Sequence, residues 1–282
     1  MTRQTDPLHT NASRHVTTRI TGHRGARELW PENSVDGFSR VAALDVDAVE
    51  FDVHLTTAGE LVVVHDPWLE RTTNGSGPVR GLTPRNRERL QLKDSHQTIP
   101  TLGEVLDVLA ESSVEMHVEI KNDETGRPHP GAVEAVLGEI DRRALRPRCH
   151  LSSFDVAVLE TCRQAAPDVP RLVSVDATWA DRHGGLHQFL DRVSDLVQIV
   201  AVHHPVLSAQ WELITSRVPA QRLCVWTVND ADQIHAWFHR GVGHLTSDRP
   251  DIALSLRKAV DRREQAAPAR HVPTSRAGEE EP

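Results

Sequence analysis

Short runs rich in valine, leucine and isoleucine alternate with helix-patterned stretches along almost the whole chain, a rhythm that few folds accept. The runs that lead into helices begin near residues 19, 48, 116, 148, 171, 196, 222 and 243, which makes eight. Helices are expected over Ser34–Leu44, with Val35, Phe38 and Val41 on the apolar side, and from Pro100 and Thr101 to Ala110. Further helices are expected over Gly131–Ala144, Phe154–Ala165, Leu186–Val193, Ser208–Ser216, Asp230–Arg240 and Asp251–Val260. Eight βα units in 282 residues predict an α/β chain folded as a TIM (β/α)8 barrel. An open doubly wound sheet that binds a dinucleotide would place GxGxxG after the first strand, and none is there. Residues 1–17 read as a flexible leader, 18–262 as the barrel and 263–282 as a disordered tail. Pro67–Thr98, punctuated by Gly75, Gly77, Pro78, Gly81 and Pro84, reads as a small insertion with one short helix near Arg85–Leu90.

One stretch departs from the βα rhythm. Val49–Asp66, VEFDVHLTTAGELVVVHD, reads as strand, turn and strand. The link Leu55–Glu60 is too short for a parallel crossover, so Leu61–Val64 returns antiparallel. Side chains alternate along a strand, so Glu50 and Asp52 share one face and Phe51 and Val53 the other. Counting back from the turn places His65 opposite Asp52. His54 shares their parity but is assigned to the hairpin surface, nearer the turn. Carboxylates on a core-facing strand surface call for a partner or a metal.

Chemistry in such a barrel sits at the C-terminal ends of its strands. The first strand ends at His23–Arg24, the second offers Glu50, Asp52 and His65, and the third ends at Glu119 and Lys121. The last two end at Trp226–Asn229 and Ser247–Asp248. Three carboxylates without a cysteine suit a hard cation, Mg2+ or Ca2+. Two histidines can divide the work of base and acid, and Arg24 and Lys121 can neutralise a phosphate. Together these parts describe metal-assisted phosphodiester cleavage. The bland readings stand beside it: Lys121 as a partner of Glu119, and Trp226 as barrel core.

A formal charge of −8 argues against a general nucleic-acid binder, which needs a basic face, but leaves room for a small phosphorylated substrate. The three cysteines, Cys149, Cys162 and Cys224, form no CxxC and no even set, which argues against a disulfide framework and against a zinc site. The polar start lacks an apolar h-region, and no stretch approaches a membrane span. A cytoplasmic enzyme without stable membrane insertion is expected.

Taken in order, HRG–PEN, VEFDVHLT, LVVVHD, RTTNGSGPV, IPTLGEVL, VEIK, SSFD, VWTVND and TSDRPD resemble the glycerophosphodiester phosphodiesterases, from Arg19 to Ala253. The resemblance implies a TIM barrel with a small insertion after the second catalytic histidine. It implies hydrolysis of diesters such as glycerophosphocholine or glycerophosphoethanolamine to sn-glycerol 3-phosphate and an alcohol. His23 and His65 then match the acid/base pair, and Glu50, Asp52 and Glu119 the ligands of one divalent metal. Arg24 and Lys121 match positions near the phosphate, Trp226 a pocket aromatic, and Glu32 and Asn33 the supporting PEN motif. Trp179 is a further candidate, as a wall for a cationic head group. Ser34 replaces the usual threonine, the segment between Leu92 and Ile99 is short, and the usual GVDGIITD is here GVGHLTSD, with His244 intruding. Rival readings are a related barrel that acts on lysophospholipids or sphingomyelin, and a binding protein without turnover.

Overall fold

A computed structural model describes residues 17–266, so the expected leader and most of the expected tail lie outside the described residues. The strands are β1 Arg19–His23, β2 Ala48–Leu55, β3 Leu61–Val63, β4 Glu115–Ile120, β5 Cys149–Ser153, β6 Arg171–Val175, β7 Ile199–His203, β8 Leu223–Trp226 and β9 His244–Ser247. Eight of them form a closed parallel barrel in the order β1, β2, β4, β5, β6, β7, β8, β9 and back to β1. β3 pairs antiparallel outside the ring, against β2. This is the TIM barrel expected from the sequence, with helices between strands.

Outward-facing residues pack under the helices. Phe38 of the helix Val35–Ala42 meets Phe51 of β2 edge-on at 5.4 Å between ring centres. Ser34 starts that helix by accepting a hydrogen bond from the Gly37 amide. Gly22 is needed beneath it, because a Cβ there would stand 2.6 Å from the Val41 methyl. Met116, Val118 and Leu151 continue the same fully buried layer around the ring. Inward-facing residues are Glu50, Asp52, His117, Glu119 and Ser152, which leaves the barrel lumen polar on this side. The insertion carries its own small core, in which Leu69, Val79, Leu82 and Leu92 cover Val62 and Val64 of the hairpin.

Several expectations shift, each for a local reason. Val64 donates to the Asp52 carbonyl at 3.0 Å, so Asp52 faces Val64, and His65 lies one residue beyond the expected pairing. His54 is buried, not on the surface, and its Nε2 donates to the His65 carbonyl at 3.2 Å. The helix expected from Phe154 starts at Val156, because Asp155 caps it and leaves Phe154 at the barrel mouth. The stretch Ser208–Ser216 divides into the helices His204–Ala209 and Trp211–Thr215 around Gln210. An unanticipated helix, Ala177–Arg182, is capped by Asp176 and carries Trp179. The last helix runs Pro250–Ala266, past the expected start of the tail. Among the described residues no helix is long and apolar enough to cross a membrane.

Candidate active site

The C-terminal mouth of the barrel holds a cavity of about 360 Å3, walled by His23, Arg24, Glu50, Asp52, His65 and Glu119. Its opposite side is formed by Phe154, Leu172, Ala201, Cys224 and Trp226. One flank is charged and the other apolar, a division suited to a small ligand with one anionic end.

The charged flank starts from the alternation of β2 and β4. Parallel pairing sets Asp52 beside Glu119, and Glu50 lies one inward position below Asp52. Single oxygens of Glu50, Asp52 and Glu119 lie within 4.8 Å of one another. Lys121 leans into this cluster, with Nζ 2.6 Å from Glu119 and 3.2 Å from Asp52. Arg24 approaches from the other side, its Nε 3.3 Å from Asp52. Burial drives the Glu50 carboxyl well above the ordinary range, and repulsion from Asp52 and Glu119 adds to it. Burial also opposes charge on Asp52, but Lys121, His65 and Arg24, with the Asn33 hydrogen bond, hold that carboxyl well below the range. Glu119 and Asp52 likewise keep Lys121 raised against the penalty of burial.

The loop after β1 is shaped to hold this arrangement. Arg24, Gly25 and Ala26 all take positive φ, and a Cβ on Gly25 would press on Gly37 and Phe38 at 3.3 Å. The Arg24 amide donates to Glu50 at 3.2 Å, and its carbonyl accepts from the Asn33 amide at 2.9 Å. Asn33, itself left-handed at φ 54, turns its side-chain amide onto Asp52 at 3.0 Å. Glu32 accepts both terminal nitrogens of Arg71 at 2.8 and 2.7 Å, and Arg24 at 3.4 Å. Asn33 thus contacts one carboxylate of the cluster, and Glu32 contacts the cations Arg71 and Arg24.

Both histidines are anchored in the same way. His23 Nδ1 donates to Asp248 at 2.6 Å, and His65 Nδ1 donates to Asp66 at 2.6 Å. Arg27 at 2.7 Å and Asn229 at 2.9 Å also bind Asp248. Burial would raise that carboxyl, but the His23 and Arg27 hydrogen bonds hold it far below its ordinary range. Asp66 is held down first by its bond to His65, then by Arg71. An ionised acceptor fixes a hydrogen on Nδ1 and leaves Nε2 as the ring atom that can take or give a proton. His23 Nε2 stands 3.8 Å from Glu50, and burial keeps this imidazole below its usual pKa. The His65 side chain is 31 % exposed, nearer solvent than the 10 % of His23.

On the apolar flank, Phe154 meets Trp226 edge-on at 5.7 Å and Trp179 at 5.8 Å. Trp226 lines the cavity, whereas Trp179 backs Phe154 from outside it. His203, given no role from the sequence, packs on Trp226 at 4.9 Å.

All ten residues singled out from the sequence therefore gather at one mouth. Sequence reasoning missed Asp66, Arg71 and Phe154 as parts of it, and placed Asp248 at the mouth without giving it a role. Asp66 and Asp248 end the words LVVVHD and TSD at strand termini, a signal that was present. Arg71 carried none, because only the fold brings the insertion back over Glu32.

A sequence profile of the Glycerophosphoryl diester phosphodiesterase family matches residues 23–252. A glycerophosphodiester phosphodiesterase of Bacillus altitudinis is 29 % identical over 254 residues, which cover 86 % of this chain and 99 % of that protein. One from Caldanaerobacter subterraneus subsp. tengcongensis is 27 % identical over 249 residues, covering 86 % and 98 %. A phosphodiesterase of Oleispira antarctica, solved in complex with the product sn-glycerol-3-phosphate, shares the fold with a TM-score of 0.70. Its sequence is 22 % identical, and the match covers 87 % of this chain and 97 % of that one. The chain belongs to the glycerophosphoryl diester phosphodiesterase family.

Proposed function

We propose that this phosphodiesterase hydrolyses small glycerophosphodiesters, such as glycerophosphocholine and glycerophosphoethanolamine, to sn-glycerol 3-phosphate and the free alcohol. The observation that carries the reading is the pair of histidines, each anchored through Nδ1 by its own aspartate, beside the three carboxylates.

The carboxylate cluster fits a divalent cation. Its donors are all oxygen, one from each of three carboxylates within 4.8 Å of one another. Glu50, Asp52 and Glu119 would hold Mg2+ or Ca2+. When bound there, the ion supplies Lewis-acid stabilisation for charge that builds on the phosphoryl group.

The chain's own groups supply the rest. Arg24 and Lys121 bind the phosphate oxygens and offset their charge. His23, deeper and beside Glu50, takes on Nε2 the proton of the nucleophile, either water directly or the glycerol 2-hydroxyl, in which case water afterwards opens the cyclic phosphate to sn-glycerol 3-phosphate. His65, nearer the mouth and entering the cycle as the imidazolium, gives its Nε2 proton to the departing alcohol as the phosphorus–oxygen bond breaks. Asp248 and Asp66 hold the tautomers and stabilise each imidazolium as it forms. Trp226 and Phe154 offer aromatic faces to a cationic head group.

Phosphorus NMR of the reaction with glycerophosphocholine tests the reading. The expected product is sn-glycerol 3-phosphate. Turnover of lysophosphatidylcholine in its place would transfer the site to the lysolipid reading.

A further inference from the structure

The inward-facing residues of β4 continue below the catalytic cluster. Glu115 and His117 share the face of Glu119, and parallel pairing sets His150 of β5 beside His117. Glu115 and Glu119 are four residues apart on one strand, about 13 Å along it, so Glu115 lies toward the N-terminal end of the barrel, with His117 between it and the catalytic cavity, which His117 also lines. His244, the residue that interrupts the expected sequence of the last strand, opens β9 on the same level.

These side chains converge. One donor atom each of Glu115, His117 and His150 lie within 4.8 Å of one another. The His117 and His150 rings stand 5.1 Å apart between centres, and the His244 ring lies 6.5 Å from His117. His150 Nδ1 is 3.9 Å from Oε2 of Glu115. The other oxygen of Glu115 is taken by Arg19 at 2.9 Å, which leaves Oε2 turned toward the histidines. His117 is 1 % exposed, and its Nε2 has no hydrogen-bond partner; the buried Nδ1 of His150 has none either. Buried polar atoms without partners are rare, and two of them in one cluster with a carboxylate point to something that would occupy the space between these side chains.

We propose that Glu115, His117 and His150 form a second cation site, of the Zn2+ type, at the N-terminal end of the barrel. Two imidazoles and one carboxylate are a recurrent zinc donor set, and the absence of oxygen-only ligation separates this site from the carboxylate cluster above. A tetrahedral set with bonds of about 2.0–2.1 Å places its donors about 3.4 Å apart, so closure needs small side-chain rotations only. Burial lowers the pKa of His244 to about 4 and also lowers that of His150, which keeps these imidazoles in the neutral form. A bound ion would cross-link β4 to β5 and stabilise the closed ring. Arg19 is the built-in competitor, since it already neutralises half of Glu115.

The test uses the full chain, stripped with a chelator and then given excess Ca2+ to fill the carboxylate cluster. Co2+ is titrated in and followed by its visible absorption, and Zn2+ is then added to displace it. One equivalent of Co2+ is expected, displaced by Zn2+, together with a rise in Tm on adding Zn2+. His150→Ala and Glu115→Gln should each weaken binding about 100-fold or more while leaving Ca2+-supported turnover and circular dichroism unchanged. Glu115→Gln guards against a folding defect in the alanine variant. The proposal is overturned if wild type takes up no Co2+ in excess Ca2+, or if Co2+ binding survives in His150→Ala but is lost in Glu119→Gln. The titration reads metal, not turnover, so it stands apart from the substrate assignment above.

Discussion

His23 and Asp248 lie 225 residues apart in the chain and meet at 2.6 Å, at the seam where the first and last strands close the barrel. The tautomer of His23 therefore depends on ring closure itself: Arg19–Gly22 must register with His244–Ser247 before Asp248 can reach the imidazole.

Asp248→Asn should lower kcat by about 10- to 100-fold, the usual cost of losing a carboxylate that orients a functional histidine. KM should change little, because Arg24 and Lys121, the proposed phosphate partners, are untouched. Steady-state kinetics with glycerophosphocholine check this split; a pure rise in KM would instead assign Asp248 to substrate binding.

The two histidines should separate by leaving group. His23→Ala and His65→Ala should each cost about 100-fold or more with a choline ester, the scale of general acid–base catalysis. With p-nitrophenol, which departs without help from an acid, His65→Ala should recover most of its rate and His23→Ala should not. Recovery in the opposite variant would exchange their roles.

Glu50 links metal binding to stability. Its folded-state pKa is raised, so between the ordinary carboxylate pKa and the elevated one the folded state binds more protons than the unfolded. The contribution of Glu50 to metal-free stability is thus present at acid pH and lost as pH rises through the elevated value. Asp52 behaves in the opposite sense: its pKa is depressed, and its contribution is lost as pH falls. At neutral pH, metal-free Glu50→Gln should melt higher than metal-free wild type, with each kcal/mol worth about 2–4 °C. The same variant should gain little Tm from Mg2+ or Ca2+. Calorimetry with and without metal measures both effects, and a lower Tm for the metal-free variant would contradict the charge argument.

Trp226→Ala should raise KM for glycerophosphocholine several-fold more than for an uncharged head group, since a cation–π contact contributes about 0.5–1 kcal/mol when exposed and about 2 kcal/mol or more when desolvated. Trp179→Ala should do less, because Trp179 reaches the cavity only through Phe154. Equal effects of the two substitutions would return Trp179 to the pocket wall.

Much of this architecture was legible in the residues. The period-two alternation of VEFDV and VEIK set three carboxylates facing inward, and eight repeats of strand and helix left a barrel as the economical closure. What escaped depended on distance or on a competing cap. The one-residue slip at His65 follows from where the turn Thr56–Glu60 closes, which strand parity does not specify. His54 was read as surface because it lies near that turn, yet the insertion folds over it and buries it. Phe154 was read into a helix until Asp155 took the cap. Arg71, in a loop with no periodic signal, reaches Glu32 across 39 residues.

Release of sn-glycerol 3-phosphate from glycerophosphocholine, followed in EDTA and again after Mg2+ or Ca2+ is restored, tests the central claim most directly. The account predicts near-complete loss in EDTA, recovery with the ion, and no recovery in a Glu119→Gln variant. Undiminished release in EDTA would contradict a catalytic role for the Glu50, Asp52 and Glu119 cluster as a metal site.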